Sequence, residues 1–381
     1  MLSQVSRAAS ERLLVGTACS LGSGPSCPQC PLRVTALAAC NVRPRSMISS
    51  PGKTYHRGMS QSPPDWLPDS LVPVAYKLAR ADELAWEIFT IAIGWSSKGP
   101  LHLESRIANG REFVHLRGID PIPPILSLVL GDAINQLRST LDHAVLALIE
   151  DFRQESIPES VAHRVNFPIY EDREKFDRWV QRAPLAEMAP DAEIGHRIFQ
   201  LQPFNDLHET HFVMSRTNAD SRHPGPGDHP LLLLQAYSNN DKHRRLVLSA
   251  ARNVVTTSSV SFDQIEQHTP EDGELVAGTD LYSVRAGTTA VLDLNPYAAI
   301  RRPTTGSWQP PGREIWLLHS YLAERALPIL STGTTDHSIP PQIDLRGPEI
   351  DPYQRLREAG RTYAFQRTFP MISKLLGDRP M

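Results

Sequence analysis

Apolar residues recur at steps of three and four along two long stretches of the chain, and at steps of two between them. Over residues 74–95 the recurring positions are Leu78, Ala81, Ala85, Ile88, Phe89 and Ala92, which is the stripe of a helix with one buried face. Gly94 predicts its stop. The period then shortens to two across 102–107 and 112–118, on either side of Asn109-Gly110. That dipeptide supplies the positive φ of a two-residue turn, so the segment reads as a β-hairpin. Pro121, Pro123 and Pro124 lead into the clearest pattern of all, a helix predicted over 122–152. Its stripe is Leu126, Leu130, Ala133, Leu137, Leu141, Ala144 and Leu148, widened by Val129, Ile134, Val145 and Ile149. A face of that width must pack against other helices, 74–95 among them.

The rest of the chain reads in shorter pieces. A strand is expected at 165–170 and short helices at 171–180 and 192–201. Asp228 suits an N-cap and Pro230 a first turn, opening a helix that runs towards 239–243. Strands follow at 246–248, 254–262, 274–276, 280–284 and 289–294, then a helix at 314–330. Residues 331–352 form a Pro/Gly/Thr-rich connection to a C-terminal helix at 353–369. The class this predicts is α+β: a helical domain with a long amphipathic central helix, plus a small antiparallel β-sheet. Four segments are expected: a leader at 1–58, a helical part with its hairpin at 59–250, a β-rich portion ending in a helix at 251–330, and the linker with its helix at 331–381.

Charge and cysteine usage set the leader apart. Residues 1–58 hold seven Lys/Arg and one acid, Glu11; taking these from the 39 basic and 42 acidic residues of the whole chain leaves 32 and 41, a balance of −9. An acidic body argues against broad, sequence-independent nucleic-acid binding, though not against a local basic groove. All four cysteines, Cys19, Cys27, Cys30 and Cys40, lie in the leader. Cys27 and Cys30 have CxxC spacing, but no second ligand pair follows. The body has no cysteine, and hence no disulfide framework. The leader's composition suits an unstructured segment, either a transit peptide or an upstream extension of a protein that begins at Met59; the second is preferred. No apolar run reaches the roughly 18–20 residues of a membrane-spanning helix, so a cytoplasmic protein without membrane contact is expected.

With Leu137 at the centre of the buried stripe, steps of about 100° per residue place Asp132, Asn135, Ser139, Asp142 and His143 together on the opposite side, with Arg138 at the edge. Small hydrogen-bonding residues of this kind suit a polar groove or a subunit contact, and they suit a solvated helix face as well. Arg138-Ser-Thr-Leu-Asp-His143 resembles the Rx4–6H motif of the HEPN superfamily, helical domains that include many prokaryotic toxin and defence ribonucleases. Gly131 to His143, together with Asn240-Asp-Lys-His-Arg-Arg-Leu246, also resembles a group of uncharacterised bacterial proteins, a likeness that brings no activity with it.

The HEPN resemblance implies a metal-independent endoribonuclease completed across a homodimer. His143 would transfer protons and Arg138 would hold the phosphate through its planar fork. The sequence departs from the family pattern at Ser139, where Asn, Asp or His is common. Five residues of helix also separate Arg138 from His143 by about 140°, and Arg138 and Asp142 have the spacing of an ion pair.

The second polar run, Asn239 to Arg245, has the composition of a helix end. In the functional reading Asp241 or His243 meets His143 across a helix pair, with Arg244 and Arg245 adding phosphate contacts; Asn135, Ser139 and Asp142 support the site. A non-enzymatic binding or scaffolding protein, using the same polar helix face as an interface, is the second reading. A metal-binding bundle of Asp142, His143, Asp241 and His243 is the third, without HExxH or ExxH spacing to support it. The other histidines, His208, His211, His223 and His229 among them, read as surface residues. No GxGxxG, P-loop or GxSxG is present. The expected partners are RNA or a second copy of the chain, with no cofactor and no assigned metal ligand.

Overall fold

The computed structural model describes residues 33–36, 67–206, 226–243, 246–257, 262–268, 270, 272–288 and 291–335. The expected C-terminal helix at 353–369 and most of the leader lie outside them. The protein is α+β. Its helices are α1 (Val72–Ser96), α2 (Ile125–Arg153), α3 (Glu159–Ala162), α4 (Arg173–Val180), α5 (Glu193–Gln200), α6 (Pro230–His243), α7 (Pro311–Tyr321) and α8 (Leu327–Thr332), the last two joined by a π-turn at Leu322–Ala326. Pro328 lacks the N–H that would bond the carbonyl four residues before it, and the wider turn accommodates that gap.

All eleven stripe residues of α2 are buried. They pack against α1 along most of its length, and against α6 and α7. The helix begins at Ile125, later than the apolar pattern suggests, because Pro123 and Pro124 hold the residues before them out of helical geometry. It ends at Gln154, whose φ of 57° is left-handed. In α1 the stop is also displaced: the helix runs through Gly94 to Ser96, and the left-handed residue is Gly99, at φ 68°.

Two sheets flank the helices. One runs β2 (Leu101–Ala108), β3 (Arg111–Ile119), β6 (Thr279–Arg285), β5 (Glu266–Gln267), and is antiparallel throughout. The β2–β3 turn has Asn109 at φ 52° and Gly110 at φ 73°, as the dipeptide predicted. In the other sheet β7 (Val291–Arg301) pairs antiparallel with β4 (Leu248–Thr257) and β8 (Trp308–Gln309), and parallel with β1 (Arg33–Ala36). Pro296 cannot donate to a ladder; the β4 register shifts beside it, between Arg252 and Val255. Because β3 pairs with β6, one sheet and one hydrophobic core extend across both 59–250 and 251–330. No helix among the described residues is long and apolar enough to cross a membrane.

Three local expectations are corrected. Residues 165–170 form no strand. Their backbone is satisfied by side chains instead: Gln202 Nε2 donates to the Pro168 carbonyl and its Oε1 accepts from Tyr170 N–H, at 2.9 and 3.1 Å. At the start of α6 the cap is His229, whose Nδ1 accepts from Leu231 N–H at 3.1 Å, while Asp228 accepts from Arg302. And His229 is not a surface residue: it is 3% exposed. His208, His211 and His223 lie outside the described residues.

Candidate functional site

The polar residues of α2 fall into three neighbourhoods. The first, near the helix start, joins two of the residues singled out from sequence. Asn135 Nδ2 donates to Asp241 Oδ2 at 3.0 Å, bridging α2 to α6. Gly131 makes this approach feasible, since a Cβ there would stand 2.6 Å from Asp241 Oδ1. Ser127, Asp132, Asn135 and Asp241 are the polar lining of an open groove of about 460 Å³, whose apolar lining includes Leu128 and Leu246. Leu128 is 64% exposed, and Ile125 and Val247, close in sequence to Leu128 and Leu246 respectively, are exposed as well. His243 closes α6, and its side chain lies outside the described residues, as do Arg244 and Arg245.

The second neighbourhood lies between α1 and α2. Lys77 Nζ donates to Ser139 Oγ at 3.2 Å, and Ser139 Oγ donates back to the Gln136 carbonyl. His143 is exposed here. Partial burial and the Lys77 ammonium hold its pKa below the ordinary imidazole value, against the opposing pull of Asp142. Its neutral form is therefore favoured near neutral pH.

The third is a clasp. Arg138 Nη2 donates to the Phe167 carbonyl at 2.7 Å, Phe167 N–H donates to Asp142 Oδ1 at 2.8 Å, and Arg138 Nη2 lies 3.1 Å from the same carboxylate oxygen. The two side chains, one turn apart, thus grip both backbone groups of a fully buried phenylalanine. The Arg138 side chain is only 13% exposed. Burial lowers the pKa of its guanidinium, and Asp142 opposes the shift. Arg138 and His143 engage different surroundings, although Asp142 acts on both: the first grips the 165–170 segment, and the second is partly exposed beside Lys77. Asp241 meets Asn135, near the other end of the polar face.

Two buried polar networks went unread in the sequence. Arg302 makes a bidentate pair with Glu314 at 2.8 and 2.8 Å, donates to Asp228 at 2.6 Å, and shares Glu314 with the Tyr237 hydroxyl. Burial alone would lower the Arg302 pKa, but the Glu314 carboxylate outweighs it and the net shift is upward. Asp206 accepts from the Tyr321 hydroxyl at 2.6 Å and from Arg325, and His229 Nε2 lies 3.4 Å away. Burial pushes the Asp206 carboxyl up, yet these neighbours outweigh it and hold the group below the ordinary carboxylate range. The first network ties α6 and α7 to the residue that follows β7, and the second ties the stretch after α5 to α7, its π-turn and the start of α6. Their hydrogen-bonded partners stand 12 to 119 residues apart, so no local motif marks them.

Among the described residues, no three His, Cys, Asp or Glu side chains gather in an arrangement that would hold a metal ion. Comparison of the chain with protein-family models, with curated proteins and with solved structures finds no match.

Proposed function

We propose that this chain is a non-enzymatic binding protein that uses the first turns of α2 as its contact surface, and that its partner is a protein segment carrying cationic and apolar side chains. The observation that carries this reading is the composition of the groove. Two carboxylates, Asp132 and Asp241, share it with Leu128, an aliphatic side chain left largely in water. A partner with a basic residue flanked by apolar ones would satisfy both. The acidic balance of the body draws such a segment in. Arg138, the residue best suited to hold a phosphate, is engaged with Phe167 and Asp142.

The test places a photo-reactive phenylalanine analogue at position 128 of the full chain, in the cells that make it. The expected result is a discrete protein adduct that is lost when Asp132→Lys is added. An absent adduct, or one indifferent to the charge reversal, contradicts the proposal.

One observation favours a second reading, the metal-independent ribonuclease of HEPN type. His143 is exposed and held towards its neutral form, as a general base requires. In that reading Lys77 supplies the cation beside the imidazole. RNA incubated in EDTA with the wild-type chain, His143→Ala and Lys77→Ala separates the two. The binding reading expects no cleavage by any of them, and cleavage that disappears in His143→Ala selects the ribonuclease.

A further inference from the structure

The free edge of the β2–β3–β6–β5 sheet carries a pattern unrelated to the α2 groove. β2 ends the strand order, so among the described residues no strand pairs with its outer side. The two-residue turn sets which backbone groups point there. Ala108 and Arg111 flank the turn and exchange both backbone hydrogen bonds; the pairs then alternate down the ladder. Arg106 and Glu104 therefore bond inward to β3, while Leu103, Ser105 and Ile107 aim their N–H and C=O groups outward.

The side chains of this edge alternate too. Glu104 and Arg106 stand on the polar face. Leu103, Ser105 and Ile107 stand on the other, where Ile107 is 68% exposed at the end of the hairpin. Arg106 is already ordered by its own chain: it is ion-paired to Asp280 and lies 5.2 Å over the Phe113 ring.

We infer that β2 pairs antiparallel with β2 of a second copy of this chain, about a twofold axis through Ser105. Only registers that set outward-pointing residues opposite one another can form the ladder. In the register centred on Ser105, Glu104 of each copy faces Arg106 of the other in a non-hydrogen-bonded pair, the spacing at which side chains are closest. On the opposite face Leu103 meets Ile107 of the second copy and covers it. Shifting the axis by one residue either way sets Glu104 against Glu104, or Arg106 against Arg106. Like charges directly opposite are destabilising, so the strand selects one register and disfavours its two neighbours. A sheet edge protected only against association would need charges, but not this arrangement of them. The product joins two four-stranded sheets into one continuous sheet.

The experiment is the mass of the full chain in solution, by light scattering after size exclusion at about 50 µM, a range suited to a small interface. The wild type is expected to be a dimer. Glu104→Arg and Arg106→Glu each create two like-charge pairs and should raise the dimer dissociation constant about 10-fold or more. Mixed one to one, the two variants should regain the dimer, because each then presents the charge the other lacks. A monomeric wild type overturns the proposal, as does a dimer that neither variant weakens, or folded variants that fail to re-associate when mixed.

Arg106→Glu also places a carboxylate beside Asp280, so it must be checked by circular dichroism. If it does not fold, Ser105→Cys decides the question, with Cys19, Cys27, Cys30 and Cys40 replaced by serine. On oxidation, a disulfide should join position 105 of one chain to position 105 of another, and its absence overturns the inference.

Discussion

Two flanks of one helix carry the same kinds of residue and do different things with them. On the Arg138–Asp142 flank, guanidinium and carboxylate close on the backbone of Phe167, and the chain itself occupies the space a ligand would need. On the Asn135–Asp241 flank, amide and carboxylate bridge two helices and leave an open groove beside them. Polar composition on a helix face therefore does not separate a ligand-facing surface from a chain-facing one. What separates them is whether another segment of the same chain offers unpaired backbone groups at that height. Residues 165–170, which lack a strand partner, do so on one flank only.

The comparison can be broken most readily at the clasp. Asp142→Ala leaves the Phe167 N–H without its acceptor and the buried guanidinium without its counter-charge, and should cost about 2–3 kcal/mol of stability, read from urea unfolding. Arg138→Met keeps the apolar stem and removes the charge. It leaves one carbonyl and one carboxylate to find water, and the expected loss is smaller, about 1–2 kcal/mol. On the groove flank, Asn135→Ala removes a single exposed hydrogen bond, for about 0.5–1 kcal/mol. Should Asn135→Ala prove as costly as Asp142→Ala, the groove is a structural joint like the clasp.

The smallest effect is on proton binding. NMR titration of His143 should give a midpoint below 6.5, and Lys77→Ala should move it upward. The sign for stability follows from the lowered folded-state pKa. Between that value and about 6.5 the unfolded chain binds more protons, so this group's contribution to stability rises with pH across that window and is level above it. A midpoint unchanged by Lys77→Ala removes the electrostatic link between α1 and His143.

Much of the framework was legible because its signals are local. The stripe on α2, the helix α1 and the Asn109-Gly110 hairpin each depend on residues within a few positions of one another. The misread pieces depend on distant partners. Residues 165–170 have the alternation of a strand, but Arg138, Asp142 and Gln202 meet their hydrogen bonds from 25 to 34 residues away. His229 looked like a surface histidine beside Pro and Gly; only the packing of Tyr321 and Asp206 around it shows otherwise.

The candidate site was legible in part. The sequence marked Asn135 and Asp241 as separate polar positions, but not that they meet, because it is the missing Cβ of Gly131 that leaves room for the Asp241 carboxylate. Of the aliphatic residues at the groove, Leu128 gives no signal, since an apolar residue beside a buried stripe reads as part of it, and Leu246 reads as the first residue of a strand.

The claim that the groove, and not the exposed α2 surface beside Lys77, meets the partner is tested most directly by comparing two positions on the helix. The full chain carries the photo-reactive residue either at 128, in the groove, or at 143, beside Lys77, and is irradiated under the same conditions. The account predicts a partner adduct from position 128 and none from position 143. An adduct from 143 alone would contradict it.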